Sequence, residues 1–204
     1  YALMLEKGDG VPKNETEAAR LYKMAIDKGN VSAMNNYANM LYKGNGVSKD
    51  KPEAARLFKM AIDKGNADAM YSYALMLEKG DGVPKNETEA SRLFKMAIDK
   101  GNADAMYCYA LMLKKGDGVP KNETEASRLY KMAIDKGNAD AMYSYALMLE
   151  KGDGVPKNET EAARLYKLAI DKGNADAMYC YANMLYKGNR VSKDKPEAAR
   201  LFKM

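Results

Sequence analysis

Apolar side chains recur along the chain at intervals of three and four residues, and the whole pattern returns every 36. Residues 67–102, ADAMYSYALMLEKGDGVPKNETEASRLFKMAIDKGN, hold one full period. In its first half Ala69, Met70, Tyr73, Ala74 and Leu77 share one face of an α-helix, here called helix A. In its second half Ala90, Leu93, Phe94, Ala97 and Ile98 fall at i, i+3, i+4, i+7 and i+8, which predicts a second helix, helix B. Asn66 is placed to cap helix A, and Asp68 sits in its electropositive first turn. Asn86 is placed to cap helix B, with Glu89 reaching back as the reciprocal partner of a capping box. Lys100 and Gly101 end helix B, the glycine in the left-handed position that follows a helix. The Gly-Asn link to the next helix A is so short that consecutive helices pack antiparallel.

Tyr1, Tyr37, Tyr73, Tyr109, Tyr145 and Tyr181 mark the period. A fixed interval of this size signals a repeat array, in which each unit buries its apolar face against its neighbours. Residues 1–204 therefore read as a single array of about five and a half units, the sixth ending at Met204. A longer period lies over the first. Residues 181–204 copy 37–60 with one change, Gly46 to Arg190, and 145–174 copy 1–30 with one change, Met24 to Leu168, so the tile spans four units or 144 residues. The chain starts in mid-pattern without Met, and we expect it to be part of something longer.

The stretch EKGDGVPKNETEA occurs at 6–18, 78–90 and 150–162, and at 114–126 with Lys114 in first place. Two glycines around an aspartate, followed by acids, raise the question of an ion or phosphate site. Yet a phosphate loop needs Gly-Lys-Ser/Thr at its end, and a calcium loop needs alternating oxygen ligands and a distant Glu. Neither is present. Gly80 instead follows helix A, Val83 plugs the turn, Pro84 blocks continuation and Asn86 starts helix B, so the stretch reads as a hinge. The second glycine reads as dispensable, because Arg190 stands where Gly46 and Gly82 do.

Composition narrows the function. The 204 residues are 47% apolar and 30% charged, with no His and no Trp, as suits a globular chain, and no apolar run approaches the ~20 residues of a membrane span. The net charge of +5 is spread thinly: residues 73–108 carry five basic and six acidic side chains, and 37–72 carry six and four. No basic stripe forms, so no nucleic-acid partner is expected. Without His, paired cysteines or a nucleophile elbow, no catalytic constellation is assembled, and we expect neither an enzyme nor a cofactor or metal. Cys108 and Cys180 lie in equivalent places 72 residues apart, too far to bridge in a stacked array. Asn14, Asn86, Asn122 and Asn158 begin Asn-Glu-Thr acceptor patterns and Asn30 begins Asn-Val-Ser, but Asp50 and Asp194 replace the Asn-Glu-Thr asparagines in two units, as a helix cap allows. Capping and two thiols without a disulfide partner together suggest an intracellular, cytoplasmic protein without glycans.

Ala69 and Ala74 in helix A, Gly80-Asp81-Gly82-Val83 in the loop, and Ala90, Phe94-Lys95, Ala97 and Gly101 thereafter fall where the Sel1-like repeat motif places them. The chain resembles that family over its whole length, although Tyr73-Ala74 stands where the family commonly has Leu-Gly. The resemblance implies an all-α fold: a right-handed α/α superhelical solenoid of 36-residue helix-turn-helix repeats, related to the tetratricopeptide repeat. It also implies a scaffold or adaptor for other proteins or peptides, with helices A lining a concave surface. A structural array, self-associating or decorating a filament or lattice, is the second reading.

The helix A stripe opposite the core contains Tyr71, Leu75, Glu78 and Lys79, at i, i+4, i+7 and i+8. Much of the variation between units falls on it. Tyr71, Tyr107, Tyr143 and Tyr179 are matched by Asn35; Leu75, Leu111 and Leu147 by Asn39 and Asn183; Glu78 and Glu150 by Tyr42, Lys114 and Tyr186. These fifteen residues are the candidate protein-binding positions, since tyrosine is a rigid amphipathic anchor that interfaces favour. Packing of the tyrosines against the neighbouring helix A is the alternative.

Overall fold

The computed structural model describes residues 1–188 and 192–203. Among these are twelve helices and no strand: α1 (Ala2–Lys7), α2 (Glu15–Asp27), α3 (Val31–Lys43), α4 (Lys51–Asp63), α5 (Ala67–Lys79), α6 (Glu87–Asp99), α7 (Ala103–Lys115), α8 (Glu123–Asp135), α9 (Ala139–Lys151), α10 (Glu159–Asp171), α11 (Ala175–Lys187) and α12 (Lys195–Phe202). Odd helices are helices A and even ones helices B. Two compact units, Tyr1–Asn102 and Ala103–Met204, divide the chain at a repeat boundary.

Each helix starts where its cap lies. Asn66 Oδ1 accepts the Ala69 N–H at 2.8 Å, and Asn86 Oδ1 accepts the Glu89 N–H at 3.0 Å. Asp50 and Asp194 do the same for Glu53 and Glu197. The reciprocal half of the capping box does not form. The Asn86 N–H is already taken by the Leu77 carbonyl at 2.8 Å, and Glu89 turns instead to Arg92, with contacts of 2.6 and 2.8 Å. A bidentate, charge-assisted pair outcompetes a bond to a donor that has a partner. At the other end of α6, Gly101 adopts φ +81°. Its N–H bonds Ile98 O and the Asn102 N–H bonds Ala97 O, which is a Schellman motif.

Within the first unit α5 packs on α6 of its own repeat and on α4 of the preceding one. This double contact buries a wider arc of helix A than its stripe suggests: Met76 is buried along with Ala69, Met70, Tyr73, Ala74 and Leu77. Helix B keeps one side to solvent, so Ile98 is only half-buried while Ala90, Leu93, Phe94 and Ala97 are buried. Each large side chain so removed from water contributes about 1.5–3 kcal/mol. Repeats are also tied by polar contacts. Asn102 Nδ2 donates to Asp68 Oδ1 at 2.9 Å in the first unit, as Asn138 does to Asp104 and Asn174 to Asp140 at 2.8 Å in the second. Lys59 Nζ lies 5.3 Å from the Tyr73 ring centroid, a cation–π contact between helix B of one repeat and helix A of the next.

The hinge holds a correction. Gly82 has φ +78°, and a Cβ added there would stand 2.5 Å from Lys51 Cβ. At Gly46 and Gly154 it would meet Glu15 Cβ at 2.5 Å and Glu123 Cβ at 2.4 Å. The second glycine is therefore not spare where the preceding helix B crowds it. Arg190, on which the opposite expectation rested, lies outside the described residues.

Candidate protein-binding surface

Tyr71, Leu75 and Glu78 are half-buried, and Lys79 is exposed beside them. In the first unit the stripes of α3 and α5 meet. Asn39 and Tyr42 from α3, and Tyr71, Ser72, Leu75 and Lys79 from α5, line a cleft of about 260 Å³ floored by Phe58 and Met76. Four of the candidate residues thus share one concavity. Tyr42 closes its end: its hydroxyl donates to Asp81 Oδ2 at 2.6 Å, Lys51 Nζ pairs with Asp81 Oδ1, and Lys51 lies 5.6 Å from the Tyr42 ring. Hydrogen bonds from Lys51 and Tyr42 hold the Asp81 carboxyl below its usual range, and donation to Asp81 raises Tyr42. The hinge aspartate is thereby a staple to the preceding repeat.

The tyrosine ladder is backed by aromatic rings from helix B. Tyr71 lies 6.2 Å from Phe94, Tyr107 6.1 Å from Tyr130, Tyr143 6.2 Å from Tyr166 and Tyr179 5.7 Å from Phe202. These ring contacts are made within each repeat, with helix B, while Tyr107 also faces Ser144 and Tyr143 faces Cys180 on the neighbouring helix A. Tyr71, Tyr107 and Tyr143 are half-buried and Tyr179 is 63% exposed. Burial raises Tyr107 and pushes Tyr143 up to about 12. Leu111, Leu147 and Asn183 are half-buried, Asn183 donating to the Tyr179 carbonyl at 3.0 Å. Tyr186 is exposed under Lys195. Asn35 departs from the outward expectation. At 6% exposure it is buried, because its short amide does not carry the polar end to the surface as the longer tyrosine does.

Lower on the same stripe, Tyr166 Oη donates to Glu150 Oε2 and Tyr22 Oη to Glu6 Oε2, both at 2.8 Å. This pairing of residues sixteen apart was missed in the sequence. The sequence carries only a partial signal: Glu in helix A accompanies Tyr in helix B at Glu6/Tyr22 and Glu150/Tyr166, but Glu78 accompanies Phe94 and Lys114 accompanies Tyr130. Wider grooves of about 410 to 450 Å³ recur where consecutive helices B flank a helix A tyrosine, as at Lys131, Tyr145 and Arg164. They carry none of the fifteen candidate positions. Among the described residues no group of His, Cys, Asp and Glu could hold a metal ion, and no helix is long and apolar enough to cross a membrane. Cys108 and Cys180 are half-buried and in no disulfide, and burial raises the Cys180 thiol.

The Sel1 repeat family model matches residues 1–30, 31–66, 67–102, 103–138, 139–174 and 175–204. This chain is a Sel1 repeat protein. A Sel1 repeat protein from Oxalobacter formigenes superposes with a TM-score of 0.92 at 31% identity, over 100% of this chain and 83% of that one. The protective antigen c5321 of uropathogenic Escherichia coli, which displays an SLR fold, gives 0.80 at 27% identity, over 99% of this chain and 43% of that one. The immunity protein Pa5087 from Pseudomonas aeruginosa shares the fold at 19% identity, with a TM-score of 0.64 over 98% of this chain and 74% of its own. No match was found among curated proteins. Sel1 repeat proteins are generally protein-interaction scaffolds and generally non-catalytic, and their repeats mediate protein–protein contacts.

Proposed function

We propose that this Sel1 repeat chain is a non-catalytic adaptor that holds a protein or peptide partner across the outward stripe of its helices A. The observation that carries the reading is the cleft between α3 and α5, where Asn39, Tyr42, Tyr71 and Leu75 converge over a buried Phe58. It pairs aromatic anchors with a polar rim of Lys43 and Lys79, the composition that protein interfaces favour. A photo-crosslinking side chain at Tyr71 should capture a discrete partner in the cells that make the protein. The same group at exposed Lys59 should not, and Leu75→Ala should weaken capture at Tyr71. Equal adducts from both positions would overturn the reading.

In the structural reading copies of the chain associate with one another, and the two readings separate in solution. An adaptor should sediment as a monomer, whereas an associating array should gain mass with concentration. Two half-buried cysteines outside any disulfide suit a reducing, intracellular compartment. Sugar found on Asn86 or its equivalents by intact mass would remove that assignment and leave the fold untouched.

A further inference from the structure

In the repeats that carry Tyr in helix B, the hydroxyl sits at the bottom of the stripe and must place its proton. Tyr22 does so fully: it accepts from Asn36 Nδ2 at 3.3 Å and donates to Glu6 Oε2 at 2.8 Å. Tyr166 likewise donates to Glu150. Both acceptors come from the last turn of the preceding helix A, sixteen residues upstream.

The fourth repeat breaks the pair. Sixteen residues before Tyr130 stands Lys114, a cation with three donors and no acceptor. Tyr130 is fully buried, and its hydroxyl has no hydrogen-bond partner. Ser144, which occupies the place of Asn36, is buried beside it and acts on its titration without standing in hydrogen-bond geometry to its oxygen. Among the described residues no carboxylate pairs with Lys114. A site that elsewhere holds a carboxylate against a tyrosine hydroxyl therefore keeps the hydroxyl, loses the carboxylate and gains a positive charge. Buried donors without acceptors are rare enough in folded proteins to call for a specific occupant.

We infer that the fourth repeat is a receptor for a glutamate side chain of the partner, whose carboxylate takes the place that Glu6 and Glu150 fill in their own repeats, accepting from Tyr130 and neutralising Lys114. Glutamate is the occupant that the fold itself uses, reaching the hydroxyl from the half-buried outer side of the stripe. Tyr107, half-buried and packed on Tyr130 at 6.1 Å, forms the wall beside it. The inference rests on the adaptor reading for its partner, but the site is defined within one repeat and can be probed without that partner.

The test is titration of the full chain with N-acetyl-glutamate methylamide, with the glutamine analogue as neutral control, followed by nuclear magnetic resonance at Tyr130, Tyr107 and Lys114. The glutamate compound should give saturable shifts at these residues and the glutamine compound none. Tyr130→Phe, a substitution the fold accepts at Phe58 and Phe94, should weaken binding about tenfold, as loss of a hydrogen bond to a charged group does. Lys114→Glu should abolish the response and raise the melting temperature, because it restores the internal pair. Lys151→Gln, in the next repeat, should change nothing. Equal response to the glutamine analogue, unaltered affinity in Tyr130→Phe, or no saturable shift would overturn the inference. Crosslinking at Tyr71 that persists in Lys114→Glu would leave the adaptor reading standing when this one fails.

Discussion

Gly10 and Gly82 occupy the same place in identical thirteen-residue stretches, yet their surroundings differ. A Cβ at Gly82 would meet Lys51 Cβ at 2.5 Å, whereas at Gly10 the nearest atom is Met4 Cε at 3.4 Å. Gly82→Ala should lower stability by about 1–2 kcal/mol from left-handed strain, with the clash added. Gly10→Ala should cost only the strain. Urea midpoints at constant slope compare the two, and equal losses would show that the preceding helix B gives way freely. Buried tyrosines supply a second expectation. Burial holds Tyr130 and Tyr166 well above the ordinary tyrosine range, with donation to Glu150 adding to it at Tyr166. A raised folded value means that the stability is fully present below the unfolded value of about 10 and is lost as pH rises beyond it. Melting temperature should therefore fall above about pH 10, and fall less steeply in Tyr166→Phe. A parallel decline in both proteins would count against the burial argument.

At the scale of the helix, the cap and its third residue act separately. Asn86→Ala should destabilise by about 1 kcal/mol, and Asn86→Asp should be nearly neutral, since Asp50 and Asp194 cap their helices in the same way. Glu89→Ala removes the exposed pair with Arg92 and leaves the cap, at a cost of about 0.5 kcal/mol or less. If the capping box did form in solution, Glu89→Ala would approach Asn86→Ala in cost. Thermal unfolding of the three variants separates the cases.

Across the whole molecule, regular repetition sets what single sites can do. Cys108 and Cys180 are equivalent residues of α7 and α11 with the α9 repeat between them, so they should remain thiols under mild oxidation. Both should react slowly with a thiol reagent until the chain unfolds, because they are half-buried and burial raises the Cys180 thiol. Non-reducing mass analysis and the kinetics of labelling check this. A Cys108–Cys180 bridge would contradict the stacking of repeats itself.

The sequence by itself determined the helices, their caps and the 36-residue period, because each depends on residues within a few positions: Asn66 and Asn86 need only the N–H groups three residues on, and Gly101 only the last turn of α6. The outward stripe was legible for the same reason, since one helix places Tyr71, Leu75 and Glu78 together. Contacts between elements were not. Glu89 turned to Arg92 because Leu77, from another helix, had taken the Asn86 N–H. Gly82 became indispensable because Lys51 of the preceding repeat lies against it, and Met76 was buried because α4 covers the flank that helical periodicity alone leaves open. The cleft at Phe58 and the orphaned hydroxyl of Tyr130 belong to the same class. Both arise where side chains from separate helices meet, and tertiary packing alone decides which donors find acceptors and which are left for a partner.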